Sequence, residues 1–77
     1  MKGMMMSYTF EHSIRFKAGD KTRSYRATRS WKTVRGALKA AQQHAAAMDA
    51  YYAEGSIALH AIVVVDEHGK FVTNMAA

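Results

Sequence analysis

A single helical stripe lies between two stretches that alternate with a period of two, and that arrangement decides what the chain can become. Val34, Leu38, Ala41, Ala45, Met48 and Tyr52 recur at spacings of four and three, which places them on one side of an α-helix over residues 34–54. Ser30 or Thr33 offers the hydroxyl that caps its first turn, Gly36 is a weak helix former near that turn, and Gly55 suits the left-handed residue that ends helices. Before the stripe, Tyr8, Phe10, His12, Ile14 and Phe16 alternate with Thr9, Glu11, Ser13, Arg15 and Lys17, the signature of a half-buried strand. Ala18-Gly19-Asp20-Lys21 turns the chain, and residues 22–28 return as a second strand with Tyr25 and Ala27 on its apolar face and Arg23 and Arg29 near the ends of that face. After the stripe come a third strand at 57–65, a hairpin loop at Asp66-Glu67-His68-Gly69 and a fourth strand at 70–75. The expected fold is α+β: two β-hairpins flank one long helix in the order ββαββ, and the antiparallel sheet packs the helix on one face. A single domain at 8–75 follows a flexible leader at 1–7 and ends in a tail at 76–77; Met4, Met5 and Met6 are alternative starts.

One helix covers one face of a four-stranded sheet. The other face of the first hairpin is expected to show Glu11, Ser13, Arg15, Ser24 and Arg26, which water tolerates. The second hairpin is apolar on both sides, with Ala61, Ile62, Val63, Val64 and Val65 in unbroken succession, as in a central strand. That surface asks for cover from a second copy of the chain, a homodimer, or from a bound partner, unless the twist of the sheet and the aromatic side chains cover it within one chain. The chain has 77 residues and no cysteine, so neither a disulfide nor a thiolate metal site reinforces a core that hides about 60% of the unfolded surface. Cysteine nucleophiles, zinc fingers and iron–sulfur clusters are excluded. The apolar run at 61–65 is far short of the roughly 20 residues that span a bilayer. Lys2 precedes no apolar signal region, so a cytoplasmic domain without a membrane partner is expected.

Residues that could carry chemistry are few. His12 falls on the apolar strand face, where a hydrogen-bonded core histidine is the ordinary reading. His44 lies on the helix flank, His60 in the third strand and His68 in a loop. No two stand four apart or in a metalloprotease pattern, and Asp66, Glu67 and His68 read as a polar hairpin loop rather than as metal ligands. Nucleophile-elbow, dinucleotide and phosphate-loop motifs are missing, and a chain this short has little room for a pocket of about 300 Å3. No catalytic residue, cofactor or metal is expected.

Charge is more informative. The net charge is +5, yet residues 15–39 hold Arg15, Lys17, Lys21, Arg23, Arg26, Arg29, Lys32, Arg35 and Lys39 against Asp20 alone, a local +8. Tyr25 and Trp31 sit between these cations. Such a block attracts phosphates or an acidic protein face. Ser24, Thr28 and Ser30 can donate to phosphate oxygens, and a helix beginning near Ser30–Thr33 adds backbone donors. A spacing of three on a strand alternates faces, so Arg23 and Arg29 are expected apart from Arg26. Trp31, at the strand-to-helix junction, reads more readily as a core plug than as a platform for bases. These eleven residues are the expected partner or nucleic-acid surface.

In length, composition and hairpin–helix–hairpin plan, residues 8–75 resemble small accessory proteins of phages and prophages, including type I anti-CRISPR-like inhibitors. The resemblance is architectural and carries no shared motif. It implies a non-enzymatic inhibitor that binds a host nucleic-acid-handling protein complex, such as a CRISPR surveillance complex, and blocks nucleic-acid access. The alternative is a DNA- or RNA-binding protein that uses the same face with little regard to sequence.

Overall fold

Alternation in the first strand does what it predicts. In the structure, a computed structural model describing residues 6–19 and 21–76 (the side chain of Ala76 excepted), β1 (Tyr8–Phe16) buries Phe10, His12 and Ile14 and turns Glu11, Ser13 and Arg15 to the opposite side. Most of the expected leader, Asp20 of the first turn and Ala77 lie outside the described residues. The other elements are β2 (Thr22–Arg26), α1 (Val34–Tyr51), β3 (Ile57–Asp66) and β4 (Phe71–Ala76). They form the expected α+β fold: one antiparallel sheet in the order β2-β1-β3-β4 with α1 against one face. The apolar third strand is thus central, as its sequence implied, with Val64 and Val65 both buried.

Several boundaries differ from the sequence reading, and β3 runs one residue further, to Asp66. The second strand stops at Arg26 rather than Thr28. Ala27 still donates to the Phe10 carbonyl, but residues 28–30 then bow away before Trp31 and Tyr8 exchange backbone hydrogen bonds of 2.7 and 2.8 Å. The Thr9 hydroxyl donates to the Arg29 carbonyl at 2.9 Å and fixes the bow. The helix ends at Tyr51, three residues early, because Tyr52 takes an extended backbone and packs edge-on against Phe16, ring centroids 4.9 Å apart. Gly55, with φ +77°, belongs to the following turn. At the far hairpin β4 begins at Phe71 and reaches Ala76; Val65 faces Phe71 and Val64 faces Thr73, which leaves Val72 as a bulge residue.

The helix turns the expected stripe toward the sheet, and its buried face extends beyond that stripe to Ala37 and His44. Its fully buried residues are Ala37 and Ala41, with Val34, Leu38 and Ala40 partly buried beside them. The small methyls let the helix backbone approach Phe10, Ile62 and Val64, where leucines would hold it away. One turn further on His44 reaches His12 of the sheet, and Ala45 and Met48 of the stripe are half-buried beside it. Thr33, not Ser30, is the cap: its hydroxyl accepts from the Gly36 amide at 3.0 Å. A side chain at Gly36 would start 3.2 Å from that hydroxyl oxygen and 3.5 Å from Trp31 Cβ, so glycine gives the cap and the indole their room.

The open face carries transverse rows set by register. Arg26, Glu11, Val63 and Asn74 form one row, and Ser24, Ser13 and Ala61 the next. It is polar on β1–β2 and apolar on β3, as anticipated. No described helix is long and apolar enough to cross a membrane. Thr33→Ala is expected to lower stability by about 1 kcal/mol, read as a drop in urea midpoint at constant slope; an unchanged midpoint would mean that the cap contributes nothing.

Candidate binding surface and a buried histidine chain

All nine cations of the basic block are exposed, but the fold divides them. Arg15 and Arg26 stand on the open sheet face, where Arg26 Nε donates to Glu11 Oε2 at 2.9 Å. Arg23, opposite Ile14, stands on the helix side and donates to the Tyr52 hydroxyl at 3.1 Å. Its separation from Arg26 was expected. Arg29 lies beyond the end of β2, so the strand-face argument no longer applies to it; its guanidinium sits 5.4 Å from the Trp31 ring centre. Lys32 precedes α1, and Arg35 and Lys39 share its outer side one turn apart. Lys17 and Lys21 flank the β1–β2 turn.

The two aromatic residues of the block face inward. Trp31 is half-buried with its ring centre 5.5 Å from Phe10, the core plug its position implied. Tyr25 is stacked on His44 at 4.0 Å with 17° between the planes, which occupies one of its faces. Arg29, Lys32, Arg35 and Lys39 therefore form a cationic rim around the start of the helix. Arg15 and Arg26 form a smaller second patch.

A cluster the sequence did not single out lies beneath Tyr25. Register turns His12 of β1 and His60 of β3 inward, and the widened inner face of the helix brings His44 over His12. His12 Nδ1 lies 2.8 Å from His44 Nδ1, and His12 Nε2 lies 2.8 Å from His60 Nδ1. His60 Nε2 is 2.9 Å from Asp49 Oδ1 on the same helix as His44. His12 is wholly buried and His60 nearly so, whereas Asp49 reaches solvent. The result is a linear chain, His44–His12–His60–Asp49, that crosses from helix to sheet and back.

Its hydrogen-bond direction follows from the carboxylate. An ionised Asp49 can only accept, so His60 Nε2–H donates to it and His60 Nδ1 is left as an acceptor. His12 Nε2–H then donates to His60, and His44 Nδ1–H donates to His12. Three neutral rings and three N–H bonds satisfy the three links, and His44 Nε2 is left with a free lone pair. Because His12 directs its two nitrogens to different partners, the rings do not converge on a common point that an ion could occupy.

Burial first, and then the like charges that His44 and His60 would carry, push His12 from 6.5 down to about 4, against the opposing pull of Asp49. Burial, followed by the charge on His60, also lowers His44. Beside the chain, His12, Ile14, Arg23, Tyr25, Met48 and Tyr52 line a groove of about 300 Å3. A larger one, about 460 Å3, lies by Phe16, Lys21, Arg23 and Tyr52. Hollows of ligand size thus exist where the chain length suggested little room.

Comparison with models of known protein families, with curated proteins and with solved structures found no match. The His chain did leave traces in the sequence: alternation places His12 inward, and counting back from Val64 and Ile62 by twos reaches His60. The register that makes these strands neighbours and the width of the helix face that takes in His44 were the missing pieces.

The lowered His12 value has a definite sign. The unfolded chain accepts a proton there below about pH 6.5, while the folded one resists down to about 4. Stability is therefore full above pH 6.5 and falls between 6.5 and 4, by about 3 kcal/mol from this residue. Urea titrations across that window check it; a flat profile would contradict the burial of a neutral ring.

Proposed function

We propose that the chain is a non-catalytic inhibitor of the phage or prophage type, anti-CRISPR-like in its action, that docks on a host nucleic-acid-handling protein complex and blocks nucleic-acid access. The observation that carries this reading is the cationic rim of Arg29, Lys32, Arg35 and Lys39, all exposed around the start of α1. Cations so placed meet an acidic or phosphate-occupied surface, and complementary charge speeds encounter. Exposed apolar side chains elsewhere, Tyr51 at 76% and Phe71 at 60% exposure, offer the anchors that protein interfaces use.

A protein partner is favoured over direct reading of nucleic acid by the state of the aromatics. Trp31 is packed on Phe10, and one face of Tyr25 is taken by His44. Within the basic block, base stacking, which gives single-strand binders much of their affinity, has only the outer face of Tyr25 left to use. Any direct contact would rest on charge and would weaken steeply as salt rises.

The tagged protein is expected to retain, after nuclease treatment, a host complex that itself binds nucleic acid, and to abolish that binding in proportion to its concentration. Arg35→Glu with Lys39→Glu, both on the outer side of the helix, should weaken capture at least about tenfold. A salt-sensitive mobility shift with bare DNA or RNA, combined with loss of every captured protein on nuclease treatment, would overturn the reading in favour of a direct nucleic-acid binder.

A further inference from the structure

The His44–His12–His60–Asp49 chain joins α1 to the two central strands through links that each hold one proton, and its proton capacity can be counted. The three links take three N–H bonds, and the outer nitrogen of His44 can take a fourth. With four, every link survives wherever the charge resides: on His44, on His12 or on His60 beside the Asp49 carboxylate. Moving the charge needs only a hop of each N–H across its 2.8 Å link. A fifth proton on the rings forces two N–H groups to face each other across a link, and that link is lost.

We propose that this chain is a proton-operated latch between the helix and the sheet, which admits one proton through His44 with every link kept and releases the helix on the second. The proposal is independent of what the basic rim binds. The geometry around the chain suits it. His44 is half-buried, so its free nitrogen can exchange with solvent, whereas His12 has no exposed surface. The charged and titratable groups that face the chain are Asp49 and His44 from α1, Tyr52 at its end, Arg23 and Tyr25 from β2, and His60 from β3. Asp49 is the lone anion among them. An added charge is therefore stabilised at the His60 end, while Arg23 across the groove disfavours a second one. Among the described residues no hydroxyl group bonds to His44, so the array is read as a latch and not as a base activating a nucleophile.

Ring nitrogen NMR at pH 8 should find the proton on Nε2 of His12 and His60 and on Nδ1 of His44. Any other tautomer set overturns the direction of the chain. Proton uptake gives the second arm. Near pH 5.5 the unfolded chain carries close to three protons on these rings and the latched fold carries one. The unfolding constant should then rise about a hundredfold for each pH unit lost. A thousandfold rise would mean that the fold admits no proton, and tenfold or less that the rings titrate as ordinary histidines; either result overturns the proposal. Asp49→Asn keeps an acceptor at a solvent-exposed position but removes the charge that favours the first proton, and should steepen the dependence toward a thousandfold. An unchanged slope in that variant would show that Asp49 does not hold the charge.

Discussion

An imidazole buried between a sheet and a helix brings two nitrogens that water no longer satisfies, and an unpaired one costs about 1–3 kcal/mol. His12 has no exposed surface, yet both of its nitrogens are engaged, one by the helix and one by the neighbouring strand. Among the described residues no buried side-chain nitrogen or oxygen lacks a partner. The pairing fixes more than stability. Apolar contacts of Ala37 and Ala41 with Phe10 and Val64 would tolerate some sliding of the helix, but links of 2.8 Å at His12 would not. The helix phase, the β1–β3 register and the position of Asp49 thus depend on one polar chain at the end of an otherwise apolar interface.

The division between what could and could not be read from the sequence follows the same line. Strand alternation and apolar runs are local properties, so the inward face of β1 and the central place of the Val63–Val65 run were legible. The helix stripe was legible, but not the full width of the buried face. Nearly every residue from Val34 to Met48 on the inner half of α1 is small or apolar, and alanine at Ala37, Ala41 and Ala45 gives little preference among neighbouring rotations. Close approach at Ala37 and Ala41 widens the buried face toward His44, which lies on the flank of the stripe and meets His12 there. The second strand ended early for a similar reason, since Thr9 captures the Arg29 carbonyl and draws the chain off the sheet. The basic block was visible as charge and alternation already placed Arg15 and Arg26 on the open sheet face; the place of Arg29, beyond the shortened β2, was not visible.

The latch and the surface meet at the groove beneath β2. Arg23 belongs to the basic block, bonds to Tyr52 where the helix ends and lines the hollow beside His12, while Tyr25 covers His44. A helix held by the histidines therefore holds the rim of Lys32, Arg35 and Lys39 in a fixed relation to the first hairpin. Rigidity of this kind reduces the ordering a partner must impose on binding. A small core without disulfides gains the same rigidity without adding apolar bulk.

The central claim is that His12 is a neutral, doubly bonded ring at the heart of the fold. Following the His12 ring carbon proton by NMR from pH 8 down to pH 4 tests it most directly. The account predicts a resonance that stays in its neutral position through pH 6.5 and approaches its midpoint only near 4, if the fold lasts that far. A midpoint at about 6.5 in the folded protein, the value of a solvated histidine, would contradict it.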